Sequence, residues 1–264
     1  MAAVMGDAAR ARDRQIEGAG TLESTWQMAP TLQALQVTDL DTLLPAHRRL
    51  VVVAPHPDDE VLGCGGLLSM ALRRQGGATP VLVVGVTDGE ASHPASSRWT
   101  PDGLIERRGC ERARGLAALG PGAELRVLRL PDGGLLDREA ALVQRLMGLL
   151  QPADVVVTTW RLDGHPDHEA CGRACAAVAR GIGCKLWEMP VWMWHWATPG
   201  DAQVPWHALH RLPLQEEAWT RKRAAIQAHR SQIDPDGQHP PVLTAATLER
   251  LMRPSEFFFH GGAS

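Results

Sequence analysis

Three short apolar runs constrain this chain more than any other feature: Leu50-Val51-Val52-Val53-Ala54, Val81-Leu82-Val83-Val84-Gly85-Val86 and Val155-Val156-Val157. Each is apolar at every position, whereas a strand with one wet face would alternate. Both faces must therefore be covered, as in a parallel sheet lying under helices. Helical stretches separate and follow these runs. The first covers about 60–74, and the second about 104–119, with Leu119-Gly120 as its stop signal. Leu142, Val143, Leu146, Leu149 and Leu150 repeat at helical spacing, and a further helix is expected over about 167–180. Leu125 to Leu130 alternates as a half-exposed strand would, and Leu186 to Met193 reads as another strand. This alternation predicts an α/β fold, a Rossmann-like open and mostly parallel sheet flanked by helices. Residues 1–47 are weakly patterned and are expected to form an N-terminal arm to a single domain over 48–264. The last part of that domain, from about 197, is rich in Pro, His and Trp. It is expected to be a less regular extension with one clear helix at 215–230.

Composition removes several classes of function. The net charge is −3, with 27 basic residues dispersed among 30 acidic ones, so no nucleic-acid footprint is present. No stretch approaches 18 uninterrupted apolar residues, so no membrane span is expected. The N-terminus lacks the apolar centre of a secretory signal, and none of the five cysteines forms a Cys-x-x-Cys pair. A reducing, cytoplasmic setting is the expectation. Lys185 and Lys222 are the only lysines, and neither follows a glycine-rich loop, so a P-loop is absent. Gly63-Cys64-Gly65-Gly66 fails the dinucleotide pattern because Leu68 stands at its third glycine position. These glycines read instead as allowing close helix–sheet packing.

The chemistry lies in two clusters, each placed just after a buried strand, where open parallel sheets bind ligands. The first is Pro55-His56-Pro57-Asp58-Asp59-Glu60, an imidazole and adjacent carboxylates between prolines. Proline and aspartate also favour turns, but turns seldom gather His, Asp, Asp and Glu behind a hydrophobic strand. The second is Asp163-Gly164-His165-Pro166-Asp167-His168, in which His165 and His168 lie three apart at a helix start. Together the clusters offer two imidazoles and a carboxylate to one metal with a fourth position open to water, the arrangement of a catalytic zinc site.

His-Pro-Asp-Asp-Glu followed about 105 residues later by His-Pro-Asp-His resembles the PIG-L/LmbE-type zinc-dependent deacetylases of N-acetylglucosaminyl compounds. The resemblance is specific over 50–180, where it includes Arg108-x-x-Glu111 and Leu130-Pro131-Asp132-Gly133. It continues more weakly in Lys222, His229-x-Ser231-Gln232 and Glu256-Phe257. It implies His56, Asp59 and His168 as ligands of Zn2+, with Fe2+ as the alternative metal. Asp58 would be the general base towards a metal-bound water, and His165 would be the polar group facing the oxyanion, stabilising it if protonated. Arg108 and Asp132 would be sugar-contacting residues, and a small-molecule sugar conjugate the substrate. For Arg108 an ion pair with Glu111 on its own helix is the competing expectation. Glu60 is expected to orient the first loop.

Trp187, Trp192, Trp194 and Trp196 crowd into ten residues, in a chain with no Tyr and three Phe. As alternating strand residues the last three would share a face. Most are expected in the core, with room for one at the acceptor site. Phe257-Phe258-Phe259 and the five cysteines read as core. Three rival functions remain: an amidase of the same fold acting on another N-acyl bond, a non-haem Fe(II) oxygenase using His56, Asp59 and His168, and a sugar-binding module without turnover. Asp58 and His165, which ligation does not need, favour hydrolysis over the last two.

Overall fold

The computed structural model describes residues 14–74 and 79–261. Eight strands form one sheet: β1 (Gln36–Val37), β2 (Leu50–Ala54), β3 (Val81–Gly85), β4 (Ala123–Val127), β5 (Val155–Thr159), β6 (Lys185–Met189), β7 (Leu209–Pro213) and β8 (Ser255–His260). Their spatial order is β1-β7-β8-β6-β5-β2-β3-β4. Every neighbouring pair is parallel except the two made by β8, which alone runs backwards between β6 and β7. The α/β fold with an open, mostly parallel sheet is thus observed.

Alternate residues of β2 serve opposite layers. Val51 and Val53 join Val84 and Val156 in one core, while Leu50 and Val52 join Val83 and Val157 in the other. Two-sided burial is what an unbroken apolar run demands. One layer contains helices α1 (Asp59–Leu72), α2 (Pro101–Leu119) and α5 (Glu216–Gln227), which pack on each other. The opposite layer contains α3 (Glu139–Met147) and α4 (Pro166–Ile182). The order of the strands fixes where loops converge. After β2 the chain builds β3 and β4 on one side, then returns to place β5 on the other. β2 and β5 therefore flank a topological switch point, where the loops leaving their carboxyl ends diverge around a crevice.

Three expectations change. Residues 14–47 are stitched into the body and do not form an arm. β1 pairs with β7, Trp26 is fully buried with its indole N–H on the Trp194 carbonyl at 3.0 Å, and Glu23 pairs with buried Arg253. Anchors this isolated leave no periodic trace in the sequence. Residues 1–13 lie outside the described residues. The strand expected over 186–193 stops at Met189, because Pro190 cannot donate to a ladder and the chain then turns into a short helix, Met193–Trp196. The C-terminal part, expected to be less regular, supplies β7 and β8, which complete the sheet and bury Phe257, Phe258 and Phe259.

The glycine run in α1 has the expected packing role. The position of a Cβ at Gly63 is occupied by Met189, and at Gly66 by Leu214. The helix breaks at Cys64 (φ −142°, ψ 26°), and the Glu256 carboxylate accepts the freed N–H groups of Gly66 and Leu67 at 2.7 and 2.8 Å. Lys222 Nζ lies 2.8 Å from the same carboxylate, so the buried charge is paired. Among the described residues, no helix is long and apolar enough to cross a membrane.

Candidate active site

The loop leaving β2 and the loop leaving β5 meet at the switch point. Asp59 opens α1, and its Oδ2 lies 3.1 Å from His56 Nδ1 and 3.3 Å from His168 Nε2. His168 stands in the first turn of α4, a helix whose start is written locally. The His165 side chain caps it, Pro166 takes the first position, where no N–H is needed, and Asp167 and Glu169 face the helix dipole. His56, Asp59 and His168 thus present three ligand atoms to one point.

Three features of these residues fit a divalent cation. His168 Nε2 is buried and makes no hydrogen bond, a costly state for an imidazole nitrogen unless something else uses its lone pair. The separations of 3.1 and 3.3 Å match the edge of a tetrahedron with bonds of about 2.0–2.1 Å, which is about 3.3 Å. The outer nitrogen of each ring also meets carboxylate, which orients metal-binding imidazoles. His56 Nε2 lies 3.1 Å from Asp132 and 3.4 Å from Asp167, and His168 Nδ1 lies 2.8 Å from Asp163.

Electrostatics point the same way. Burial disfavours charge on His56, yet its partners Asp132, Asp167 and Asp59 together hold its pKa well above the ordinary value. Burial likewise opposes charge on His168, but Asp59 and Asp163 raise it to about 9. The Asp59 carboxylate, despite its burial, is held well below the usual range by His168 and His56. A pocket so rich in carboxylates demands positive charge at its centre.

Asp58 is set apart from this triad. Its backbone sits at φ 145°, ψ −28°, a conformation that L-residues rarely adopt and that persists only when the surroundings impose it. Glu60 provides one restraint: it is fully buried, accepts the Asp58 N–H at 3.3 Å and pairs with Arg112 at 3.2 Å. Burial, only partly offset by Arg108, pushes the Asp58 carboxyl up to about 7.

Arg108 does not pair with Glu111. Its guanidinium donates to Asp58 Oδ2 at 3.1 Å, to the Pro57 carbonyl at 3.0 Å and to the Gly89 carbonyl at 2.9 Å. Glu111 is taken by Arg107 and by Ser231, whose N–H and hydroxyl donate at 2.9 and 2.6 Å. Asp132 is likewise committed, accepting the Ala91 N–H at 2.8 Å through one oxygen and facing His56 through the other. Burial works against its charge, but the hydrogen bond from His56 lowers it to about 2. Arg108 and Asp132, expected as sugar contacts, both border the cavity while holding these partners, and the buried Arg108 Nε makes no hydrogen bond. His165 borders the same cavity. Burial and the neighbouring rings of His168 and His56 push its pKa down to about 3, so it is neutral. Its Nδ1 accepts the Asp167 N–H at 3.2 Å, which leaves Nε2 to carry the ring proton.

Two residues were visible in the motifs yet not given roles. Asp163 accepts the N–H groups of Val191, Trp192 and Met193 at 2.9–3.0 Å while holding His168. Asp167 accepts those of Gly133 and Leu135 at 2.8 and 3.0 Å while facing His56. Their signal was position: each lies within the second histidine cluster. A cavity of about 290 Å³ opens onto the triad, bounded by Asp58, His165 and Gln232 on its polar side and by Trp192 on another. A larger cavity of about 670 Å³ beside Arg73 and Glu217 contains no imidazole.

Comparison with known proteins agrees with this geometry. The PIG-L family, described as GlcNAc-PI de-N-acetylase, matches residues 51–179. The 1D-myo-inositol 2-acetamido-2-deoxy-alpha-D-glucopyranoside deacetylase of Tsukamurella paurometabola is 27% identical over 248 residues, covering 70% of this chain and 83% of that protein. Among solved structures, the A40926 pseudoaglycone deacetylase superposes with a TM-score of 0.61 at 26% identity, over 80% of this chain and 96% of that one. The N,N'-diacetylchitobiose deacetylase of Pyrococcus horikoshii shares the fold, with a TM-score of 0.56 at 21% identity over 74% of each chain. The family match runs from β2 into α4, over residues 51–179, and carries both histidine clusters.

Proposed function

We propose that this protein is a metal-dependent hydrolase that removes the N-acetyl group from an N-acetylglucosamine-containing small molecule, with zinc as the metal. The single observation that carries the reading is the buried, unpartnered Nε2 of His168 beside Asp59 and His56, at the floor of an open cavity. The amino-sugar substrate follows from the family and from the Tsukamurella relative, which is named for deacetylating a 2-acetamido-2-deoxy-glucopyranoside.

His56 Nδ1, Asp59 Oδ2 and His168 Nε2 would hold the metal. A divalent ion there supplies Lewis acidity, polarising the amide carbonyl and making water acidic enough to ionise near neutral pH. Asp163 and Asp132 fix the two imidazoles in the orientation that ligation needs. Asp58 takes the proton of the attacking water. Arg108 occupies its Oδ2, so Oδ1 is the basic atom, and a pKa of about 7 suits a group that must first accept and then return a proton. The His165 Nε2–H donates to the oxygen that gains charge as the carbonyl carbon becomes tetrahedral, acting as a neutral donor and not as an imidazolium. Collapse of that adduct breaks the C–N bond, releases acetate and passes the Asp58 proton to the departing amine.

Zinc-loaded and chelator-stripped protein should be compared for release of acetate and free amine from N-acetylglucosaminides, without oxygen. Stoichiometric acetate and amine from the loaded protein alone is the expected result. No acetate in that assay, with oxygen consumption in a parallel aerobic assay with a 2-oxo acid, would overturn the reading in favour of an oxygenase.

A further inference from the structure

Another cavity, of about 400 Å³, is bounded by the paired strands β7 and β8 and by the short helices Glu23–Gln27 and Pro30–Gln33. It shares no residue with the cavity at the triad. Arg211 of β7 stands directly across the ladder from Phe257 of β8, so the two side chains lie on one face of the sheet. Arg253, just before β8, borders the same space. Among the described residues bordering this cavity, Arg211 and Arg253 are the only cations and Glu23 is the only carboxylate, which leaves one positive charge without a counterpart.

The packing role of Arg253 accounts for only part of its guanidinium. Nε donates to both oxygens of Glu23 at 2.9 Å, Nη2 donates to the same carboxylate, and the guanidinium carbon lies 4.3 Å from the centre of the Trp194 ring. Nη1 is left over, buried and with no hydrogen bond. Arg211 Nε is in the same state, and among the described residues no carboxylate pairs with Arg211. A buried N–H without an acceptor is costly. Two such donors, on guanidinium groups that border one cavity, call for an acceptor that the chain itself does not supply. A carboxylate matches guanidinium geometry, and the single unbalanced charge suits a monoanion. Leu32, Pro254 and Phe257 make the rest of the wall apolar, as small-molecule sites of this volume usually are.

We propose that this cavity is a second small-molecule site, which binds an apolar monocarboxylate with its charge on Arg211 and Arg253 and its body against Leu32, Pro254 and Phe257. The site stands apart from the chemistry at the triad, whose failure would leave it untouched. The test is calorimetric titration of hexanoate, acetate, hexylamine and inorganic phosphate into zinc-loaded wild type and zinc-loaded Arg211→Gln protein of equal zinc content. A ligand that reaches the metal contributes equally to both proteins, so the site is read as the binding that the substitution weakens. Hexanoate should be weakened at least about tenfold, the loss expected for a charged hydrogen-bonding partner. It should also bind the wild type at least about tenfold more tightly than acetate, because its longer chain is buried. Hexylamine, with the same chain and the opposite charge, should not be weakened. Ser255→Asp sets a carboxylate beside the guanidinium groups and should repel hexanoate to a similar degree, which keeps the test decisive should the arginine variant fail to fold. Hexanoate binding that survives both substitutions overturns the proposal. So does a larger loss for inorganic phosphate than for hexanoate, or an equal loss for hexylamine.

Discussion

The two loops that form the site are built on opposite plans. The β5 loop is held by backbone hydrogen bonds: His165 caps the helix that carries His168, and Asp163 takes three backbone N–H groups from the segment after β6 around the carboxylate that orients His168. The β2 loop is held from outside. Asp58 sits in a strained conformation, restrained by Glu60, by Arg108 and, through Glu60, by Arg112, with both arginines arriving from α2 about fifty residues away. The difference follows from what each loop must do. His168 needs one fixed orientation, which Asp163 and its three backbone N–H donors provide. In the proposed reaction Asp58 exchanges a proton near neutral pH, so its charge is weighed between burial and a single guanidinium, and only tertiary neighbours supply both.

Four experiments sharpen or break this contrast. Asp58→Asn should retain zinc by elemental analysis while turnover falls by on the order of 10²–10⁴. Unchanged turnover with metal bound would remove Asp58 from the chemistry. Asp163→Ala should weaken zinc affinity by about 10- to 100-fold in competition with a chromophoric chelator, because His168 loses its orienting partner. An unaltered affinity would mean that the loop needs no such brace. Arg108→Gln removes the cation that favours ionised Asp58, so the Asp58 pKa must rise. The acid limb of the kcat/KM profile, expected near 7 in the wild type, should move to higher pH by about one unit or more. A shift to lower pH would contradict the assignment of Asp58 to that limb.

The smallest effect concerns the metal-free protein. His168 is raised from 6.5 to about 9, so its contribution to stability is fully present below pH 6.5 and is lost as pH climbs through about 9. The Tm of stripped protein should fall by roughly 5 °C across that window, and zinc-loaded protein, whose imidazole is already occupied, should show a flatter profile.

The sequence alone determined the sheet and the meeting place of the two clusters. Unbroken runs such as Val51-Val52-Val53 admit only two-sided burial, and their alternation with helices leaves ligating loops at the carboxyl ends of β2 and β5. Periodicity and local motif carried that information, so it survived without coordinates. It did not carry the destination of long side chains. Only the fold shows that Arg108 meets Asp58 and that Asp132 meets His56. The integration of residues 14–47, the end of β6 at Pro190 and the pairing of β7 with β8 rest on single anchors such as Trp26 and Glu256, which only the folded chain can match to their partners. Tertiary structure also decided the protonation states. Burial, with charges that lie far away in sequence, raises the Asp58 carboxyl to about 7 and lowers the His165 imidazole to about 3.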